Sequence, residues 1–93
     1  MGCRQAEHWG LLNICVDDGA AYDKALEMAR EVARGAPLAV RMAKIALRSA
    51  ERLEKKEALQ VETVCYEKIL PSWDRREGLR AWAERRNPVF RGK

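Results

Sequence analysis

The stretch "ARGAPLAVRMAKIAL", residues 33–47, joins the end of one helical pattern to the start of another. Gly35 stands where a left-handed residue often ends a helix, and Pro37 is well tolerated in a first helical turn. Only a few residues separate the two patterns. We therefore predict two helices joined by a tight corner or hairpin.

Helical patterns continue on both sides of this link. Apolar residues recur at three- and four-residue spacing from Ala20 to Arg34, and Asp17 or Asp18 is placed to cap that first helix. The apolar stripe of the second helix consists of Leu38, Met42, Ile45, Ala46 and Ala50. Both helices are therefore predicted to be amphipathic.

Two more helices are predicted in the rest of the chain. The third runs from about Glu54 to Leu70, because its apolar residues share one face and Pro71 ends it. Ser72 is a suitable cap for the fourth helix, which Pro88 closes. The charged residues that suit the dipole of this fourth helix are Asp74 and Glu77 at its start and Arg85 and Arg86 at its end.

The N-terminal residues fit the end of a helix followed by a single strand. "RQAEHWG", residues 4–10, reads as the last turns of a helix, and "LLNICV", residues 11–16, reads as a strand. A lone strand cannot satisfy its own backbone groups, so we expect a further segment before Met1. The predicted fold class is all-α, with about four amphipathic helices and one short N-terminal extended segment.

Length and charge restrict the function only loosely. The 93 residues allow one small domain with a modest core, so self-association or docking onto a larger body is expected. The net charge of +4 favours anionic partners but does not choose among nucleic acid, phosphorylated cofactors and acidic proteins. The longest apolar run, residues 9–16, is far too short to span a bilayer, and no targeting segment is recognised, so we expect no membrane partner.

The cysteines favour a reducing compartment. Cys3, Cys15 and Cys65 are odd in number and widely spaced, and His8 is the only histidine. This spacing supports neither a disulfide framework nor a zinc site, so no metal is expected. Each cysteine is predicted to be a small residue of the core.

The second helix carries a row of basic residues. The row consists of Arg41, Lys44, Arg48, Arg52 and Lys55, at three- or four-residue steps that place them on one face. Such a face could follow a phosphate backbone, so RNA is a conceivable partner. No aromatic residues interleave with the row to stack on bases, which favours a solvated surface instead.

The last predicted helix holds a second candidate site. Gly78 stands inside the helix, where glycine is unfavourable but permits close approach by a backbone or a ligand. Trp82 and Arg85 follow it and could hold an adenine ring and a phosphate, although Trp82 fits a core or interface residue equally well. Because no carboxylate pair or nucleophile with a histidine partner is evident, the residues do not describe a complete enzyme.

Three segments resemble one known family. They are "GLLNICV" (10–16), "AAYDKALEMAREVARGAPLAVRMAKIAL" (20–47) and "ALQVETVCYEKILPSWDRREGLRAWAERRNPVF" (58–90). In order and spacing they resemble the enoyl-CoA hydratase/isomerase (crotonase) superfamily over almost the entire chain. The branch that they resemble most contains methylglutaconyl-CoA hydratase (the AU-binding homologue) and enoyl-CoA hydratase domain-containing protein 2.

The resemblance implies the C-terminal helical, trimer-forming region of the crotonase fold without its β-β-α spiral core. In the family that core supplies the oxyanion-binding N–H groups and the catalytic glutamates, so no catalytic residue is predicted here. Residues 1–18 would be the edge of the missing core and residues 19–93 the C-terminal helical region. The implied reaction of the full-length family is the reversible hydration of 2-enoyl-CoA thioesters, as in fatty acid metabolism.

The resemblance also implies partners and a small set of ligand contacts. Tyr66, Trp82 and Arg85 match positions near CoA in the family, where acyl-CoA is a substrate and not a tightly bound cofactor. The family more often has phenylalanine at the position of Trp82 and lysine at that of Arg85. Expected partners are further copies of the chain, in the manner of the family's trimers, or a core-bearing chain. The expected location is mitochondrial, or cytoplasmic for a bacterial protein. A non-catalytic helical assembly module and an RNA-binding module remain as alternatives.

Overall fold

The computed structural model describes residues 1–93 and contains five α-helices and no β-strand. The helices are α1 (Cys3–His8), α2 (Ala21–Ala33), α3 (Pro37–Ala50), α4 (Lys55–Ile69) and α5 (Trp73–Ala83). The predicted all-α class is confirmed. The chain divides into two compact units, residues 1–31 and residues 32–93, which are described separately.

The first unit begins with α1, whose end is closed by a turn. Gly10 adopts a left-handed conformation with φ of 74°, and the N–H groups of Leu11 and Leu12 both donate to the carbonyl of Ala6, at 2.9 and 3.3 Å. Ala6 is buried. The helix end predicted at "RQAEHWG" is therefore present, although the helix itself is only six residues long.

This turn brings two cysteines together. Cys3 and Cys15 form a disulfide, with their Cα atoms 5.7 Å apart. The prediction that no cysteine is paired is wrong for these two, because the turn folds the chain back on itself and sequence spacing does not reveal that. Neither is a core residue, since Cys3 is exposed and Cys15 is half-buried, whereas Cys65 is buried as predicted.

The strand predicted at residues 11–16 does not form. The segment consists of bends and irregular backbone, and Leu11, Leu12 and Ile14 are exposed. A strand needs a neighbour to satisfy its N–H and C=O groups, and residues 1–93 contain no other strand. Before α2, the N–H of Ala20 donates to the backbone carbonyl of Asp17 at 3.0 Å, so the predicted side-chain cap is replaced by a turn.

The second unit contains the link between α2 and α3, and here glycine is required for a different reason from the one predicted. Gly35 is not among the glycines with positive φ. A Cβ atom built on it would lie 2.9 Å from Val40 Cγ2 and 3.3 Å from the carbonyl oxygen of Val32. This link therefore depends on the small size of Gly35 and not on a left-handed backbone.

Helices α3 and α4 pack against each other after a turn at residues 51–54. The turn is closed by the N–H of Leu53, which donates to the carbonyl of Ser49 at 3.0 Å. It also interrupts the predicted basic face, because α3 ends at Ala50 while Arg52 lies in the turn and Lys55 begins α4. Only Arg41, Lys44 and Arg48 belong to α3.

The last helix begins as predicted. Ser72 caps α5 because its hydroxyl oxygen accepts a hydrogen bond from the N–H of Arg75 at 3.2 Å. The helix ends at Ala83, which leaves Arg85 and Arg86 outside the last turn in which they were predicted. None of the five helices combines the length and apolar character needed to cross a membrane.

Candidate functional site

The C-terminal segment, residues 87–93, returns along α5 and is fastened there by Asp74. The Asp74 carboxylate accepts hydrogen bonds from the N–H of Arg91 at 2.6 Å and from the N–H of Gly92 at 2.8 Å. The N–H of Asp74 donates to the carbonyl of Lys93 at 2.9 Å. Asp74 is only 1% exposed. One side chain and its own backbone therefore fix three consecutive residues of the segment.

Glu77, one turn further along α5, holds the preceding part of the segment. Its carboxylate accepts two hydrogen bonds from the Arg86 guanidinium, at 2.5 and 3.1 Å, and one from the N–H of Val89 at 3.1 Å. The hydrogen bonds from Arg86, followed by that from Val89, lower the pKa of Glu77 to about 2. The same pairing raises the pKa of Arg86. Glu77 is therefore an ionised structural anchor near neutral pH.

Ring contacts complete this attachment. The Arg91 guanidinium lies over the Trp73 ring, 4.4 Å from its centroid, which is the geometry of a cation–π interaction. Phe90 Cε1 lies 3.8 Å from the position that a Cβ atom on Gly78 would take. The neighbour of Gly78 is thus a side chain of this protein's own C-terminal segment.

Sequence patterns indicated Asp74 and Glu77 only as acidic residues at the start of a helix. The structure gives them a second role, because both are buried and bind the backbone of a distant segment. The signal available in the sequence was that two carboxylates three positions apart precede an arginine-rich stretch and a proline. That signal predicts acidic anchors but not which backbone groups they bind.

Two of the three predicted CoA contacts lie at the C-terminal end of α5. Trp82 is 83% exposed, so it is not a core residue within this chain. Arg85 follows the helix with a left-handed backbone, φ of 54°. The N–H of Arg86 donates to the carbonyl of Ala81 at 3.0 Å and the N–H of Arg85 to that of Trp82 at 3.2 Å, which together form a Schellman motif.

The third predicted contact, Tyr66, lies on a groove between α3 and α4. The groove has a volume of about 840 Å³ and is lined mainly by apolar side chains. Its walls include Met42, Ala43, Ala46, Leu59, Cys65 and Tyr66. Neither Trp82 nor Arg85 lines the groove. The predicted contacts are therefore divided between this groove and the end of α5.

The apolar stripes of α3 and α4 form this groove because much of their surface stays uncovered. Leu47 and Leu59, which line the groove, are exposed, and Cys65 is the only buried residue of the two helices. Alanines at the α3 wall are too short to fill the space between the helices. Of the core stripe that periodicity predicted on α3, Leu38, Met42 and Ala46 are half-buried, while Ile45 and Ala50 are exposed. The predicted core face is therefore only partly covered.

The chain contains no group of three or more His, Cys, Asp or Glu side chains arranged to hold a metal ion. Glu62 and Thr63 are polar residues on the groove wall, and both are exposed. The arrangement is an apolar surface with a few polar groups, which is the usual composition of a ligand or partner site.

Comparison with known proteins identifies relatives over the entire chain. The sequence profile of the family described as "Enoyl-CoA hydratase/isomerase" matches residues 1–93. "Probable enoyl-CoA hydratase 2, mitochondrial" of Arabidopsis thaliana is 44% identical over 88 residues, which are 95% of this chain and 29% of that protein. "Enoyl-CoA hydratase domain-containing protein 2, mitochondrial" of Mus musculus is 38% identical over 96% of this chain and 31% of its own length.

A human relative and a solved structure agree with these matches. "Methylglutaconyl-CoA hydratase, mitochondrial" of Homo sapiens is 35% identical over 97% of this chain and 28% of its own length. The crystal structure of enoyl-CoA hydratase from Bacillus anthracis superposes with a TM-score of 0.86 at 34% identity, over 97% of this chain and 35% of that one. The resemblance predicted from the sequence, including its branch, is confirmed.

The match covers only part of each relative. The chain spans about a third of the length of the curated relatives that it matches. Its five helices match the C-terminal helical part of the crotonase fold, as predicted. The expected division at residue 18, between the edge of a core and the helical region, stays a prediction.

Proposed function

The chain belongs to the enoyl-CoA hydratase/isomerase family, and on this premise we propose that it serves as the C-terminal helical part of an enoyl-CoA hydratase-like protein. Its proposed roles are oligomerisation and completion of the CoA pocket. The reaction of the whole protein would be the reversible hydration of 2-enoyl-CoA thioesters. Three of the relatives, from Arabidopsis thaliana, Mus musculus and Homo sapiens, are named mitochondrial, which supports a mitochondrial location.

The observation that carries this proposal is the apolar groove between α3 and α4. In water such a surface is unfavourable, and covering it gains roughly 25 cal/mol for each Å² of apolar area that is buried. The groove is open along helices that a packed enzyme would be expected to cover. A core-bearing part of the protein, or a neighbouring copy, is the occupant that family membership supports.

Contact with CoA is proposed for Tyr66, Trp82 and Arg85. The exposed indole of Trp82 offers a flat surface on which an adenine ring can stack. Arg85 adds a cation for a phosphate, and Tyr66 adds a hydroxyl at the edge of the groove. In this proposal acyl-CoA is a substrate that binds and dissociates, and no tightly bound cofactor is involved.

The test is complementation. The chain is mixed with the remaining N-terminal part of a family hydratase, such as that of Bacillus anthracis, and hydration of crotonyl-CoA is followed by absorbance. We expect activity in the mixture and none in either part alone. Ala43→Trp, which fills the groove at an exposed position, should abolish activity. Gln60→Trp, on α4 outside the groove, is the matched control.

A second candidate is a non-catalytic assembly module. It is favoured by the large number of exposed apolar side chains, among them Leu47, Leu79, Trp82 and Val89. Sedimentation distinguishes the two functions: an assembly module forms oligomers through the groove and restores no hydratase activity in any mixture. A complex that forms with the N-terminal part yet stays inactive would support this second function and contradict the first.

A further inference from the structure

The segment from Cys3 to Cys15 is a closed loop in a unit with very little core. The disulfide joins the first residue of α1 to the irregular segment before α2. Within residues 1–31, Ala6 is the only buried residue. Trp9, Leu11 and Leu12 lie inside the loop with exposed side chains. The loop therefore has little packing to keep its shape, and the cross-link is its main constraint.

The three cysteines differ in accessibility. Cys3 is exposed and Cys15 is half-buried, so a dissolved thiol can reach their disulfide. Cys65 is buried in α4 and unpaired. Thiol–disulfide exchange requires access of the attacking sulfur, so the pair in the loop can react while Cys65 is shielded.

We propose that Cys3 and Cys15 form a reversible redox-modification site whose reaction partner is a low-molecular-weight disulfide of the glutathione class. In a reducing compartment a disulfide is usually transient or redox-sensing instead of a permanent support. An accessible pair within a weakly packed loop fits that behaviour.

The exchange proceeds in two balanced steps. The Cys3 thiolate attacks one sulfur of glutathione disulfide, which breaks that S–S bond, forms a mixed disulfide and releases one glutathione thiolate. The Cys15 thiolate then attacks the Cys3 sulfur and displaces the second glutathione. The two cysteine thiols lose two protons and two electrons in total, and one glutathione disulfide becomes two glutathione thiols.

The consequence of the exchange is a change in the order of the loop. In the oxidised chain, the cross-link keeps the N–H groups of Leu11 and Leu12 on the carbonyl of Ala6. After reduction, those hydrogen bonds and the short helix α1 are the remaining constraints, and a six-residue helix is marginal by itself. Oxidation therefore fixes an apolar loop that reduction releases.

The first measurement is the redox state of each cysteine. The full chain is equilibrated in glutathione buffers of increasing reduced fraction, quenched by acid, and labelled with a maleimide under denaturing conditions. Intact mass should show one label, on Cys65, in oxidising buffer and three labels in reducing buffer. If Cys3 and Cys15 are still labelled in excess glutathione disulfide, the proposal is overturned.

The second measurement separates a redox site from an inert cross-link. Amide hydrogen exchange within residues 3–15 should accelerate at least about tenfold on reduction, because a cross-link restricts the open forms of the loop. Cys3→Ser should exchange fast in both buffers, while Cys65→Ala should keep the full redox response. Equal exchange rates in the oxidised and reduced chains would overturn the proposed effect on loop order.

Discussion

The Asp74 carboxylate accepts a hydrogen bond from the N–H of Gly92 at 2.8 Å, although the two residues are 18 positions apart in the chain. Gly92 has φ of 75°, a conformation that favours glycine. The acidic side chain of α5 and a glycine near the end of the chain therefore depend on each other. This pairing explains why an aspartate is buried in a small helical protein.

Removal of the Asp74 carboxylate should destabilise the second unit. Asp74→Ala removes the charged acceptor of the N–H groups of Arg91 and Gly92, and a hydrogen bond to a charged group contributes about 1.5–3 kcal/mol. We expect a fall of that order in the free energy of unfolding, measured by urea denaturation. Asp18→Ala, at an exposed turn, is the control and should change it by less than about 0.5 kcal/mol.

Acid should weaken the attachment of the C-terminal segment through Glu77. Its pKa is about 2 in the folded chain and 4.5 ordinarily, so its contribution is complete above pH 4.5 and is lost as the pH falls towards 2. The free energy of unfolding should decline across that window. Glu77→Gln, which cannot ionise, should make the decline shallower, whereas Glu57→Gln on the exposed first turn of α4 should not.

Alanine should have opposite effects at two glycines. Gly78→Ala should raise the free energy of unfolding by about 0.5–1 kcal/mol, because the new Cβ lies at an ordinary 3.8 Å from Phe90 and alanine favours helix. Gly35→Ala should lower it by about 1–3 kcal/mol, because the Cβ would lie 2.9 Å from Val40 Cγ2. Thermal unfolding of both variants measures the difference, and effects of equal sign would contradict the structure.

Replacing Arg85 by glycine should stabilise the chain and weaken its binding of CoA. Its left-handed backbone costs a non-glycine residue roughly 1–2 kcal/mol, so Arg85→Gly should stabilise the chain by about 1 kcal/mol after the entropy lost by glycine is counted. The same variant should weaken binding of CoA to the complemented complex, measured by calorimetry. Arg85→Lys is the control, since it keeps the charge and the strained backbone. Unchanged CoA affinity in Arg85→Gly would remove Arg85 from the proposed site.

The positions of the helices can be predicted from the sequence, because each depends on residues that are close together in the chain. Pro37, Ser72 and the apolar periodicity predict the starts of α3 and α5 correctly and place the ends of α4 within one residue, because capping and proline geometry act locally. The family resemblance likewise rests on motifs that are read directly from the sequence. The same resemblance points to Tyr66, Trp82 and Arg85, whose contact with CoA stays a prediction.

Other features depend on residues that are distant in the chain. The strand predicted at residues 11–16 has no neighbour with which to pair, and the Cys3–Cys15 bond exists because a turn reverses the chain between them. The predicted basic row is interrupted after Arg48, because α3 ends at Ala50 and is followed by the turn at residues 51–54. No local pattern contains that information.

Features that depend on neighbouring residues can be predicted from the sequence, whereas features that depend on distant residues cannot. Helix propensity, capping and periodicity are properties of neighbouring residues, so the amino-acid order alone specifies the four amphipathic helices and the family. The open groove between α3 and α4 and the anchoring of Gly92 by Asp74 arise from packing and from hydrogen bonds across many residues. Both features require the folded chain, because only folding decides which apolar faces are covered and which backbone groups a buried carboxylate can reach.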